Sequence, residues 1–136
     1  MIKINMADKW FSKCVRRRNN WTCERCNAVY GESYSGLHCS HYFGRRSYST
    51  RYDADNAFAH CYGCHQYLGS NPDLFQIWVK SMLGETRLDQ LRQRNRDISL
   101  GKSIKKNQKD VAKHYKAQFD WMQTQDDLRI EFINYI

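Results

Sequence analysis

HCSHYFGRR, residues 38 to 46, sets two histidines and a cysteine on one short run that ends in adjacent arginines. Such a run can be a zinc site, a catalytic base with phosphate clamps, or plain strand chemistry, and residue types alone admit all three. Its flanks narrow the choice. Cys23-Glu24-Arg25-Cys26 precedes it and Cys61-Tyr62-Gly63-Cys64 follows, two CxxC pairs separated by 34 residues. Each two-residue spacer folds back so that both sulfurs reach one ion, and four thiolates suit tetrahedral Zn2+ in a closed, structural site. A redox CxxC and four buried free thiols are the alternatives. The interval exceeds that of a zinc ribbon, so a substantial insertion, HCSHYFGRR included, sits inside the loop. Cys14 and Cys39 fall outside the scheme and are expected as small buried apolar residues.

Working outward, 136 residues and 16.3 kDa predict one domain, 1–136, with a modest core that a metal staple would reinforce. The first residues carry no apolar leader and turn basic at once, which predicts a cytoplasmic protein with reduced thiols. No run approaches the ~18 apolar residues of a membrane span, so a soluble chain without a membrane partner is expected. The net charge of +8 is unevenly placed. Residues 1–18 hold six Lys/Arg against one acid and residues 86–118 ten against three, whereas 19–85 and 119–136 are net acidic. Basic segments on both sides of a near-neutral centre fit a polyanion such as DNA. Solvated lysine-rich helices are the plainer reading.

Trp10, Phe11, Cys14 and Val15 recur at helical spacing after Asp8, predicting a helix over 9–18 with Asp8 as N-cap. Residues 20–69, dense in Cys, His, Tyr and Gly, suit short strands and tight turns. GSNPDLFQIWVKSMLGE predicts a helix from Pro72 to Leu83, capped by Asn71 and stopped by Gly84. Leu74, Ile77, Trp78 and Met82 form its expected core face. Residues 86–123 read as two helices broken near Ser99-Leu100-Gly101, the second over Ile104–Met122 with Val111, His114, Tyr115 and Phe119 on one stripe. These helices make 71–136 a basic helical extension. The final LRIEFINYI fits a strand or a helix end, with Asp126 and Asp127 available to the basic segments.

Within and beyond the insertion, His41, Asn56 and His65 are spaced by fourteen and then eight residues, His65 directly after the last cysteine. The pattern of CxxC, His, Asn and CxxCH over about residues 20–69 resembles the HNH nucleases of the ββα-metal class in their zinc-stapled form. The run LHCSHYFGRRSYSTRYDADNAFAHCYGCHQYLGSNP and the basic helical C-terminal part resemble the phage NinG (Rap)-like recombination endonucleases. The resemblance implies an α+β fold: a small ββα-metal core stapled by the four-cysteine site and flanked by an N-terminal helix and C-terminal basic helices. A hairpin would carry His41, the following segment Asn56, and a helix starting at the second CxxC would carry His65.

The resemblance also implies roles. His41 would be the base that deprotonates water, Asn56 would orient its ring, and His65 would bind a catalytic Mg2+ or Mn2+. Arg45 and Arg46 follow His41 closely enough to clamp a phosphate, with Arg51 a third candidate. Arg16, Arg17, Arg18, Arg51, Lys105 and Lys106 are the expected DNA-binding residues. One position departs from the common pattern: an Asp or His normally precedes the catalytic His as second metal ligand, and here Ser40 stands there. His38 shares Ser40's strand face ~6 to 7 Å away and can substitute, as can Asp53 or Asp55.

Plainer readings stand beside these. His38 can simply fill a strand face, His60 pack, His114 be ordinary and Asn56 a turn residue. Tyr42, Tyr48, Tyr52 and Tyr62 can stack on unpaired bases or fill the core. Two functions remain: a metal-dependent DNA endonuclease, in recombination on branched DNA such as Holliday junctions or as a nickase in phage DNA packaging, or a non-catalytic zinc module binding nucleic acid or protein. Cutting two strands with one site per chain would favour a homodimer.

Overall fold

Leu37–His41 (β1) and Ala57–Cys61 (β2) pair antiparallel, with His38 opposite His60, Cys39 opposite Ala59 and Ser40 opposite Phe58. Side chains alternate across the sheet. Leu37, Cys39, Ala57 and Ala59 face one apolar layer, and Phe58 faces another. The computed structural model describes residues 2–32, 35–126 and 128–136. Among these the fold is α+β: seven helices, one short 3₁₀ turn and this two-stranded sheet. The helices are α1 (Met6–Arg18), α2 (Tyr48–Arg51), α3 (Tyr62–Ser70), α4 (Pro72–Leu83), α5 (Glu85–Asn95), α6 (Ile98–Lys106) and α7 (Gln108–Met122). None is long and apolar enough to cross a membrane.

The larger core joins α1, α7 and one face of the sheet through Phe11, Val15, Tyr115, Phe119 and Met122. Phe11 meets Tyr115 edge-on at 5.0 Å between ring centres. The buried Tyr115 hydroxyl donates to the Tyr52 carbonyl at 2.5 Å. The last helix is thus part of the main core rather than an extension of it. The second core packs Leu68, Phe75, Val79, Leu88 and Leu91 against Phe58 on the other face.

Several local expectations are revised. Helix α1 starts three residues earlier, at Met6, with Asn5 as N-cap; Asp8 is the third helical residue of a reciprocal capping box. Helix α4 has the expected bounds, but Phe75 and Val79 are buried while Leu74, Ile77 and Met82 face solvent. The Asn71 side chain makes no cap bond to α4, whereas Gly84 ends it at φ +80, a conformation only glycine adopts freely. Residues 86–123 form three helices, not two. The breaks fall at Arg96-Asp97 and Asn107, and Gly101 lies inside α6. Residues 128–136 form neither strand nor helix and are held by Ile130 N–H to the Arg18 carbonyl and by Phe132 in the core. Asp126 meets α1 through its backbone carbonyl, which accepts from Arg17, and Asp127 lies outside the described residues.

Candidate functional site

Each cysteine pair is presented by backbone geometry. Cys61 ends β2 and caps α3, its sulfur accepting from the Cys64 N–H at 3.4 Å. The first pair lies in a tight loop closed by a bridge between Thr22 and Val29, with Asn27 at φ +65 providing the turn. Glu24 docks this loop on the outer edge of β2: its N–H donates to the Ala59 carbonyl, and its carboxylate accepts from the Ala59 N–H, both at 2.8 Å. All four sulfurs consequently lie within 4.8 Å of one another, a set able to hold a metal ion. The Cys26 and Cys61 sulfurs are 3.7 Å apart. Tetrahedral zinc with bonds of about 2.3 Å separates its thiolates by ~3.8 Å, so the donor set fits that ion. Arg25 adds a donor to the Cys64 sulfur at 3.3 Å.

Beside the cluster, a cleft of about 510 Å³ runs along β1 between α1 and α3, and His38, His41, His65, Arg45, Arg16 and Lys9 are among its lining residues. The His38 and His65 Nδ1 atoms face each other at 3.0 Å. That is an N–H···N distance, and also the separation of two adjacent ligands about 2.1 Å from one octahedral ion. Burial, reinforced by His38 and Arg45, pulls the His65 pKa below its usual value. His41 ends β1 with Nε2 2.9 Å from the Arg51 carbonyl oxygen. This contact makes Nε2 the protonated nitrogen and leaves Nδ1 a lone pair. Burial lowers the His41 pKa to about 4, only partly opposed by the Arg51 carbonyl, so the ring is neutral at pH 7.

The Asn56 side chain makes no hydrogen bond to the His41 ring. Its buried amide accepts from Phe43 N–H at 2.7 Å and donates to the Phe43 and Thr50 carbonyls, pinning the segment between the strands. The group that holds the ring is the Arg51 carbonyl, which no side-chain pattern in the sequence could announce.

The expected DNA-binding arginines divide. Arg51 is buried in an ion pair with Asp8 at 2.6 Å and donates to the Lys3 carbonyl, so it is no phosphate clamp. Arg17 is buried against the carbonyls of Met122, Gln125 and Asp126 at the end of α7. Arg18 is buried on the Ala54 and Ala57 carbonyls and pairs with Glu24. All three are structural, because they are buried and their terminal guanidinium nitrogens are engaged inside the fold; Arg18 Nε alone has no partner among the described residues. Arg45 and Arg16 line the cleft, the exposed Arg46 borders a neighbouring depression, and Lys105 and Lys106 are exposed at the end of α6. Asp53 and Asp55 are held by Arg94 and Arg87 and are not among the cleft residues.

The remaining candidates also sort. Ser40 is fully buried, its hydroxyl without a partner among the described residues. Cys14 is buried, but Cys39 is only half-buried and lines the cleft; burial raises both thiols to about 12. His60 is buried in an aromatic cage, with Trp78 4.6 Å away. His114 bonds the Ile133 carbonyl. Tyr52 is buried and cannot stack on a base, Tyr42 packs on Phe75, and Tyr62 is exposed beside His38. Lys9 on the cleft rim was not singled out by any sequence pattern. None of the family models, curated proteins or solved structures compared with the chain matches it.

Proposed function

We propose that the protein is a metal-dependent HNH-type DNA endonuclease with a zinc-stapled ββα core. The observation that carries this reading is His41: a neutral imidazole held through Nε2 by the Arg51 carbonyl, in the same cleft as the His38–His65 pair. His114 is also held by a carbonyl but is not among the cleft residues; His41 combines that anchor with a place in the cleft beside the His38–His65 pair. His41 accepts a proton from water at Nδ1 as that water attacks phosphorus. His38 and His65 would hold the divalent ion, which when bound would supply stabilisation of charge on the phosphate and the departing oxygen. Arg45 neutralises the phosphate at the cleft, and Arg46 engages its neighbour. Two imidazoles suit Mn2+ or another transition ion better than Mg2+. The cysteine cluster carries structural Zn2+ and holds β2, and with it the hairpin, against α3.

Supercoiled plasmid and a labelled four-way junction, incubated with Mn2+ or Mg2+, test this reading. Cleavage that requires the added metal and falls in His38→Ala and His65→Ala supports it, and a higher rate on the junction than on linear duplex supports branched DNA in recombination. Binding of these DNAs without cleavage by any divalent ion would leave only a zinc-stapled binding module.

A further inference from the structure

The α1 side of the cleft carries an unusual concentration of charge. The ammonium groups of Lys9, Lys13 and Lys116 lie 5.4, 5.2 and 5.4 Å from the centre of one indole ring, that of Trp10. Lys9 and Lys13 are one turn apart on α1, and Lys116 reaches the ring from α7. Trp10 is fixed beneath them against Phe119, ring centres 6.0 Å apart. An indole face attracts a cation, but three cations on one ring repel each other, as like charges one helical turn apart do. The described residues supply one carboxylate partner to this group, Asp120 at 2.9 Å from Lys116. Lys9 also lines the cleft that holds His41, so the charge is continuous with the proposed reaction centre.

We propose that Lys9, Lys13 and Lys116 form a phosphate-binding arm that carries the DNA backbone away from the cleft across α1 to α7. The inference rests on the nuclease reading above and adds the direction in which the strand runs. Without DNA the three ammonium groups rest on Trp10; with it they turn to phosphates, which relieves their mutual repulsion and releases counterions. Arg45, which lines the same cleft, holds the strand at the reaction centre where the arm begins.

The test uses the full-length, zinc-loaded His41→Ala protein, which binds without cutting, and the same protein with Lys9→Gln, Lys13→Gln and Lys116→Gln. Anisotropy of a labelled duplex is followed across a salt series. The arm predicts that the slope of log affinity against log salt falls by about 2 to 3, near 0.9 per lost phosphate contact. An unchanged slope overturns it, as does a parent protein that binds no duplex. Cleavage by wild type is scored separately. If wild type cuts and the slope does not change, only the arm fails; if the slope falls but wild type never cuts, the arm stands and the nuclease reading fails.

Discussion

The Nε2 atom of His41 lies 2.9 Å from the carbonyl oxygen of Arg51, while the Arg51 guanidinium is buried 2.6 Å from Asp8 on α1. One residue thereby holds the imidazole with its backbone and anchors that backbone to the first helix with its side chain. The orientation of His41 therefore depends on a salt bridge that ties the segment between the two strands to α1.

Arg51→Ala leaves the Asp8 carboxylate buried and uncompensated, and loss of one partner of a buried pair costs about 3 to 5 kcal/mol. Urea unfolding is expected to show a loss of this size. Arg46→Ala, at an exposed position, is expected to leave stability within about 0.5 kcal/mol and to weaken DNA binding instead. Equal destabilisation by both would contradict the division of the arginines.

Asn56→Ala removes three hydrogen bonds to buried or half-buried backbone. With each orphaned group costing about 1 to 3 kcal/mol, the variant is expected to lose about 3 kcal/mol or more. Asn56 pins the segment that packs on His41, so its loss should admit water to the ring. Because burial is the largest cause of the depression and outweighs the lost Arg51 carbonyl, the His41 pKa should rise from about 4 towards its ordinary 6.5, read by NMR titration of the ring. A stable variant with an unmoved His41 would show that the amide holds nothing.

His60 is buried with neither ring nitrogen bonded among the described residues, and burial lowers its pKa to about 3. A depressed histidine pKa means the unfolded chain binds the proton first. The stability it allows is therefore complete above pH ~6.5 and falls as pH drops towards about 3. His60→Leu is expected to flatten that decline between about pH 6 and 4 and to match or exceed wild-type stability at pH 7. A steeper decline in the variant would mean that His60 has a partner worth keeping.

The cysteine cluster is expected to bind one zinc ion per chain, released by a thiol-modifying reagent with loss of the folded state. Cys26→Ser should lower zinc retention and melting temperature together. Full folding in the metal-free protein would contradict a structural ion at the four thiols.

The sequence exposed some elements more readily than others, for physical reasons. The α4 bounds were legible because Pro72 and Gly84 act through their own backbone preferences. The meeting of the two CxxC pairs was legible because short spacers constrain sulfurs locally. The buried face of α4 was not, since large apolar residues lie around much of the helix and only Phe75 and Val79, with Trp78 partly buried beside them, meet the second core. The capping box is present in the sequence as Asn5-x-x-Asp8, but either residue alone is an acceptable N-cap and only the fold separates their roles. Charge is the least legible property. Arg17, Arg18 and Arg51 count towards a basic patch in the sequence, yet they are buried against carbonyls and carboxylates that only the fold brings near. The His41 support was hidden for the same reason, being a main-chain oxygen.

The most direct test compares plasmid cleavage by wild type and His41→Ala, both shown to be folded and zinc-loaded, with Mn2+ present. The account predicts cleavage by wild type and a rate at least about 10²-fold lower in the variant, the usual contribution of a positioned base. Equal rates in the two proteins, or a wild type that cuts no DNA with any divalent ion, would contradict it.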